Sequence, residues 1–299
     1  MTPNGAFNTA YPRSSRVSKR TTTQAEPEVA AHIRSQADSL ASALAHVIPS
    51  CATLRVSPQA YDAFARSRQC YDLINGAPTP CSCHIATRAA AGRLGGVRPL
   101  LTETSPQHAL SCAHGDGYER RHNFVCAALD KVLHLMPGVY VHTRYHEKSN
   151  IPGDSVPDFE LTNFPQPGDH AFCEYSVVSH LQAKHIGRAF PGAAGRERDL
   201  AKTDKYRPHA RAANAKFFPA SQEASGRGSE GMHVLLSLIN ERHDKEAFAR
   251  TASSRTWSAT HFKRYLYQLV AIAFWSGVAA MENTRTRLNA AALAAERSR

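Results

Sequence analysis

The segment Ile151–Ser179, IPGDSVPDFELTNFPQPGDHAFCEYSVVS, narrows most sharply what this chain can fold into. Two runs rich in aromatic and β-branched residues, Val156–Leu161 and Ala171–Val178, flank a loop holding Asn163, Pro165, Pro167 and Gly168. Alternating side chains predict strands for the runs, and the Pro/Gly cluster predicts the turn between them. The first run carries Pro157-Asp158, and the second carries Glu174 just before Val177-Val178. Residues near mid-strand on neighbouring strands can face one another, which brings the two carboxylates to one point. Acidic groups held that close repel unless a cation lies between them, and oxygen ligands suit Mg²⁺ or Mn²⁺. Asp158 and Glu174 are therefore candidate metal ligands. The plainer readings are a turn-initiating Asp after Pro and an exposed edge-strand Glu.

Charge narrows the partner. The 299-residue chain holds 36 basic and 25 acidic side chains, a net charge of +11. That balance suits a polyanion, nucleic acid first and an anionic membrane surface second, although a basic protein is also simply soluble. Hydrophobic content of 42% supports a packed core rather than wholesale disorder. Seven cysteines in a chain this long do not form a disulfide scaffold, and Met1–Arg20 lacks an apolar secretory core. The most apolar run, Leu266–Met281, is interrupted by Gln268, Ser276 and Gly277 and reads as a buried helix rather than a membrane span. An intracellular, reduced setting without membrane insertion is expected.

The remaining chain divides by composition. Residues 1–27 read as a disordered basic tail, whose Arg13, Arg16, Lys19 and Arg20 suit a nuclear-import signal or a phosphate contact. Residues 28–77 read as a helical segment, with one helix over Glu28–Ile48 and another from Ser57 to about Ile74. Residues 78–117 carry Cys81-Ser82-Cys83, a gap of 24 residues, and His108-x3-Cys112. Two thiolate and imidazole pairs suit a closed tetrahedral Zn²⁺ site, with His84 and His114 as substitutes. Cys51, Cys70, Cys126 and Cys173 read as ordinary buried thiols.

Residues 118–240 read as an α/β core. A helix runs from Tyr118 to about Leu135, followed by a strand over Val139–Tyr145 and then the hairpin. Arg120, Arg121 and His122 fall in that helix's first turn, where basic groups are unfavourable to the macrodipole unless they share an anion such as a DNA phosphate. His180–Pro208 is basic and helical in parts, broken at Pro191-Gly192. Its Lys184 and Arg188 are candidate backbone contacts to nucleic acid. Lys216–Pro219 is a short strand candidate. Met232–Ile239 and Thr260–Met281 read as closing helices, residues 241–299 forming a C-terminal helical segment.

The order of these motifs resembles a known family. C-x-C, HALSC, a glycine loop, Arg121-His122-Asn123, Pro157-Asp158, Glu174-Tyr-Ser-Val-Val and Lys202-x-x-Lys205-Tyr206 follow one another over about residues 78–240. This is similar to the C-terminal part of non-LTR retrotransposon proteins and related reverse-transcriptase-linked reading frames. There a zinc knuckle precedes a restriction-enzyme-like, PD-(D/E)xK endonuclease that nicks target DNA. The resemblance implies a mixed β-sheet flanked by helices behind a small zinc-knuckle segment. It implies Mg²⁺ or Mn²⁺ on Asp158, Glu174 and the Tyr175 carbonyl, and structural Zn²⁺ on Cys81, Cys83, His108 and Cys112. Lys202 and Lys205 match the family's K-x-x-K-Y. Glu147 and His122 are further candidates for metal or phosphate contacts.

Two departures accompany the resemblance. The residue two after Glu174 is Ser176 rather than lysine, so the lysine is expected from the following helix, with Lys184 in reserve. The family usually has aspartate where Glu174 stands. No reverse-transcriptase sequence accompanies the motifs, which leaves a truncated element, a fragment or a module reused by a host. The expected activity is metal-dependent DNA hydrolysis. Its rivals are a non-cutting zinc-dependent module that binds DNA or RNA, and an inactive remnant.

Overall fold

The computed structural model describes residues 27–47, 54–68, 79–81, 102–104, 117–145, 156–186, 190–243 and 261–297. The elements in chain order are α1 (Pro27–Gln36), α2 (Ser39–Ser42), a 3₁₀ turn (Ala43–His46), α3 (Pro58–Arg68), β1 (Thr79–Cys81), β2 (Thr102–Thr104) and α4 (Gly117–Leu133). After them come β3 (Tyr140–Thr143), β4 (Phe159–Thr162), β5 (His170–Val178), α5 (Ala183–Ile186), α6 (Ala193–Ala212), β6 (Lys216–Glu223), α7 (Glu230–Arg242) and α8 (Phe262–Arg297). Among the described residues, no helix is long and apolar enough to cross a membrane.

The chain is mixed α/β, built on a four-stranded sheet in the order β3-β4-β5-β6. β3, β4 and β5 form an antiparallel meander, as the tight turn after Thr162 requires; Asn163 sits at φ 64° and Gly168 at φ 84°. β6 joins β5 in parallel after the α5–α6 crossover, since a parallel neighbour cannot be reached by a hairpin. Alternation divides β5 between two layers. Ala171, Cys173 and Tyr175 enter the main hydrophobic cluster with α4, α7 and α8, while Glu174 and Ser176 meet α6 on the opposite face. Leu40, Leu44, Leu54 and Phe64 of the N-terminal helical segment join that cluster beside Leu266 and Trp275. The described parts of residues 28–77, 118–240 and 241–299 therefore share one core.

Several elements differ from the sequence expectation: α8 runs on unbroken to Arg297 past the expected end at Met281, and α6 continues through Pro208 to Ala212. The helix expected over Glu28–Ile48 breaks after Gln36. Asp38 adopts extended backbone (φ −145°, ψ 149°) and caps a new helix, accepting from Leu40 N at 3.0 Å and Ala41 N at 3.2 Å. β6 runs on to Glu223, four residues past the apolar stretch that marked it.

Asp38 also joins distant parts of the chain, accepting from Gly228 N at 3.2 Å and from His233 Nε2 at 2.9 Å. Burial pushes its carboxyl up, but His233 and the backbone N–H groups outweigh this and hold it below its ordinary value. A depressed carboxyl contributes stability above its unfolded pKa near 3.8, and loses it as pH falls through the lower folded value. Asp38→Ala is expected to cost about 2–3 kcal/mol in urea unfolding at pH 7, from the lost cap and the charged hydrogen bonds. The gap to wild type should close below about pH 4. Equal stability at pH 7 would show that Asp38 does not hold these segments together.

Candidate active site

The site forms where β4 stops accompanying β5. Their register pairs Phe159 with Cys173 and Leu161 with Ala171, so its continuation sets Pro157 opposite Tyr175. Proline has no N–H and cannot extend the ladder, which leaves the Tyr175 carbonyl without a strand partner on that side. The next residue compensates for half of the loss: the Asp158 carboxylate Oδ2 accepts the Tyr175 N–H at 2.7 Å. The Pro-Asp pair thus ends a strand and plants a buried carboxylate at its end. Asp158 and Glu174 are both 7% exposed, so neither is a surface turn or an exposed edge residue.

Glu174 is met from α6. The α6 side chains Arg198 and Lys202, four residues apart, span about 6 Å of helix, and Ser176 and Glu174, two apart, span about 6.6 Å of strand. The two spacings match: Arg198 Nε donates to Ser176 Oγ at 3.3 Å, and the Lys202 ammonium donates to Glu174 Oε1. Asp199 fixes the helix in this position by accepting from Ser221 N at 3.2 Å and Gly231 N at 3.1 Å. A lysine from the following helix therefore stands where Ser176 leaves none.

Lys205 lies elsewhere. Its Nζ is 5.1 Å from the centroid of the Tyr206 ring, whose hydroxyl donates to the Val156 carbonyl at 3.0 Å. Lys202 and Lys205 bracket Tyr206, but the ion pair to Glu174 belongs to Lys202.

From the other layer, α4 contributes His122. Its Nε2 lies 3.2 Å from Asp158 Oδ2 and 3.2 Å from the Tyr175 carbonyl oxygen, and its Nδ1 lies 3.1 Å from Asn123 Oδ1. One helical turn on, Cys126 Sγ is 3.7 Å from either His122 nitrogen. α4 reaches this depth because α8 is thin opposite it: a Cβ on Gly277 would lie 2.6 Å from Arg121 Cα.

The electrostatics are those of a crowded acidic centre. Burial and then the Asp158 charge raise the Glu174 carboxyl above its ordinary value, opposed by Lys202. Burial lowers the His122 imidazole, but its hydrogen bond to Asp158 and the two carboxylate charges outweigh this and raise it. Glu174 Oε2 is buried with no hydrogen-bond partner. A buried carboxylate whose polar neighbours include Lys202 and the Tyr206 hydroxyl, beside a second carboxylate and the Tyr175 carbonyl, fits a hard divalent cation, which prefers oxygen ligands.

The expected nucleic-acid contacts separate. Arg120 is exposed at the start of α4. Arg121 is instead buried, 5.6 Å above the Phe274 ring, and desolvation lowers its guanidinium to about 10. Lys184 is exposed and pairs with Glu197. A cavity of about 380 Å³ adjoins the site, lined in part by Arg121, Val177, Lys184, His185 and Arg198. Cys81 is buried in β1, which pairs with β2. Cys83, His108, Cys112, Glu147 and Arg188 lie outside the described residues.

Comparison of the chain with protein-family models, with curated proteins and with solved structures returns no match.

Proposed function

We propose that the protein is a divalent-metal-dependent DNA endonuclease with a PD-(D/E)xK-type core. The observation that carries this reading is a buried Asp158 bonded to the Tyr175 N–H beside Glu174, whose carboxylate feels the Asp158 charge and pairs with Lys202 of the following helix. The sheet supports it in outline, with Asp158 one residue before β4 and Glu174 within β5. Asp158, Glu174 and the Tyr175 carbonyl would hold the ion. A bound Mg²⁺ or Mn²⁺ polarises a phosphodiester and lowers the pKa of an attacking water.

The chain's own groups supply the rest. The Lys202 ammonium neutralises Glu174 and lies where it can stabilise charge developing on a phosphate. His122, held by Asp158 and Asn123, can take up or release a proton at Nε2. The net charge of +11 suits a phosphate backbone, and Arg198, which bonds Ser176, also lines the adjoining cavity. A nuclear setting would follow from a DNA substrate.

The test is incubation of supercoiled plasmid with the full chain in Mg²⁺, in Mn²⁺ and in EDTA. Open-circular product with either ion and none in EDTA is expected. Salt-sensitive plasmid binding without product under any condition would replace the endonuclease with a binding module.

A further inference from the structure

The hard-ion site leaves two good metal ligands unused. His122 and Cys126 stand four residues apart on α4, the spacing that places side chains on one helix face. With Asp158 they form a group whose ligand atoms all lie within 4.8 Å of one another. Imidazole and thiol are poor company for Mg²⁺ and good company for a borderline-soft ion.

We infer that His122 Nε2, Cys126 Sγ, Asp158 Oδ2 and the Tyr175 carbonyl oxygen form a binding site for a transition-metal dication of the Zn²⁺ class. This site is additional to the cysteines and histidine of residues 78–117. The edges of the cluster fit. Tetrahedral Zn²⁺ with bonds of about 2.0–2.1 Å to N and O and about 2.3 Å to S separates its N/O ligands by about 3.4 Å, and N from S by about 3.6 Å. The observed separations are 3.2 Å from His122 Nε2 to Asp158 Oδ2, 3.2 Å from Nε2 to the Tyr175 oxygen, and 3.7 Å from Nε2 to Cys126 Sγ. The three separations that meet at His122 Nε2 are thus near those of one tetrahedral ion, and the His122, Cys126 and Asp158 ligand atoms all lie within 4.8 Å of one another.

Two features outside the donor set support the assignment. Asn123 Oδ1, 3.1 Å from His122 Nδ1, can accept the Nδ1 proton, so a metal that displaces the Nε2 proton would leave an imidazole held in place from its other nitrogen. Pro157 removes the strand partner that the Tyr175 carbonyl would otherwise have, leaving that oxygen available. The site shares Asp158 and the carbonyl with the hard-ion position, so the two ions exclude each other. Metal binding is read directly, and the inference stands whether or not the protein cuts DNA.

The test uses the full chain, stripped by chelator, reloaded with Zn²⁺, desalted and analysed for metal by mass spectrometry, with circular dichroism as the folding control. Wild type and Cys173→Ser, whose thiol is buried in β5 outside the cluster, are expected to hold equal zinc. Cys126→Ser and His122→Ala should each hold about one ion fewer per chain, because loss of one donor opens a four-ligand site. If Cys126→Ser does not fold, the partly exposed His122 carries the comparison alone. Equal loading of the folded variants and wild type, or the same loss in Cys173→Ser, overturns the assignment.

Discussion

Asp158→Ala is expected to abolish divalent-dependent nicking, with kcat falling by about 10³-fold or more while the protein still binds plasmid. Removing the side chain takes away a metal-holding oxygen and also strips the Tyr175 N–H of its acceptor, so the end of β5 loses the group that fixes it. Asp158→Asn separates the two effects. An asparagine oxygen can still accept the Tyr175 N–H, so the strand end is kept while the charge is lost. Nicking should remain at the level of Asp158→Ala, and urea stability should recover toward wild type. An Asp158→Asn protein that cuts at the wild-type rate would remove Asp158 from the chemistry.

The second large effect is at Lys202. Lys202→Ala is expected to lower kcat by about 10²–10³-fold, the scale seen when one preorganised donor to a developing charge is removed. Lys205→Ala should change kcat by less than about threefold, because Lys205 lies over the Tyr206 ring and makes no ion pair with Glu174. The contrast distinguishes a lysine acting at the carboxylates from general loss of positive charge, which would lower plasmid affinity equally in the two variants. Equal losses of kcat in both variants would mean that α6 contributes charge and no catalytic group.

Much of this centre was legible in the sequence because its signals are local. The hairpin announced itself by alternation and by the Asn163–Gly168 turn, and the strands formed within three residues of the expected bounds. The two carboxylates came with it, as did a lysine on the next helix. The choice of Lys202 over Lys205 was not legible, because it depends on the rotation of α6, fixed by Asp199 bonding Ser221 and Gly231.

The polar half of β6 was missed for a similar reason. Ser221, Gln222 and Glu223 do not read as strand residues, yet all three are buried. Ser176 meets the Ser221 hydroxyl, the Tyr175 hydroxyl donates to Gln222, and Ser35 donates to Glu223. Their partners lie far away in sequence, and burial of polar groups becomes tolerable only once those partners arrive. Cys126 is the buried core thiol that the sequence predicts, and its metal role is our inference. The available signal for that role was its spacing from His122, the same H-x3-C pattern that marked His108 and Cys112.

The most direct measurement is nicking of supercoiled plasmid in Mn²⁺ and Mg²⁺ by wild type, Asp158→Asn and Lys202→Ala, side by side at matched folding. A cleavage centre built from Asp158, Glu174 and Lys202 requires product from wild type, almost none from Asp158→Asn and a strongly reduced rate from Lys202→Ala. Equal cleavage by all three would mean that the activity resides elsewhere. Absence of cleavage in wild type, with tight plasmid binding, would leave a metal-binding fold that holds DNA without cutting it.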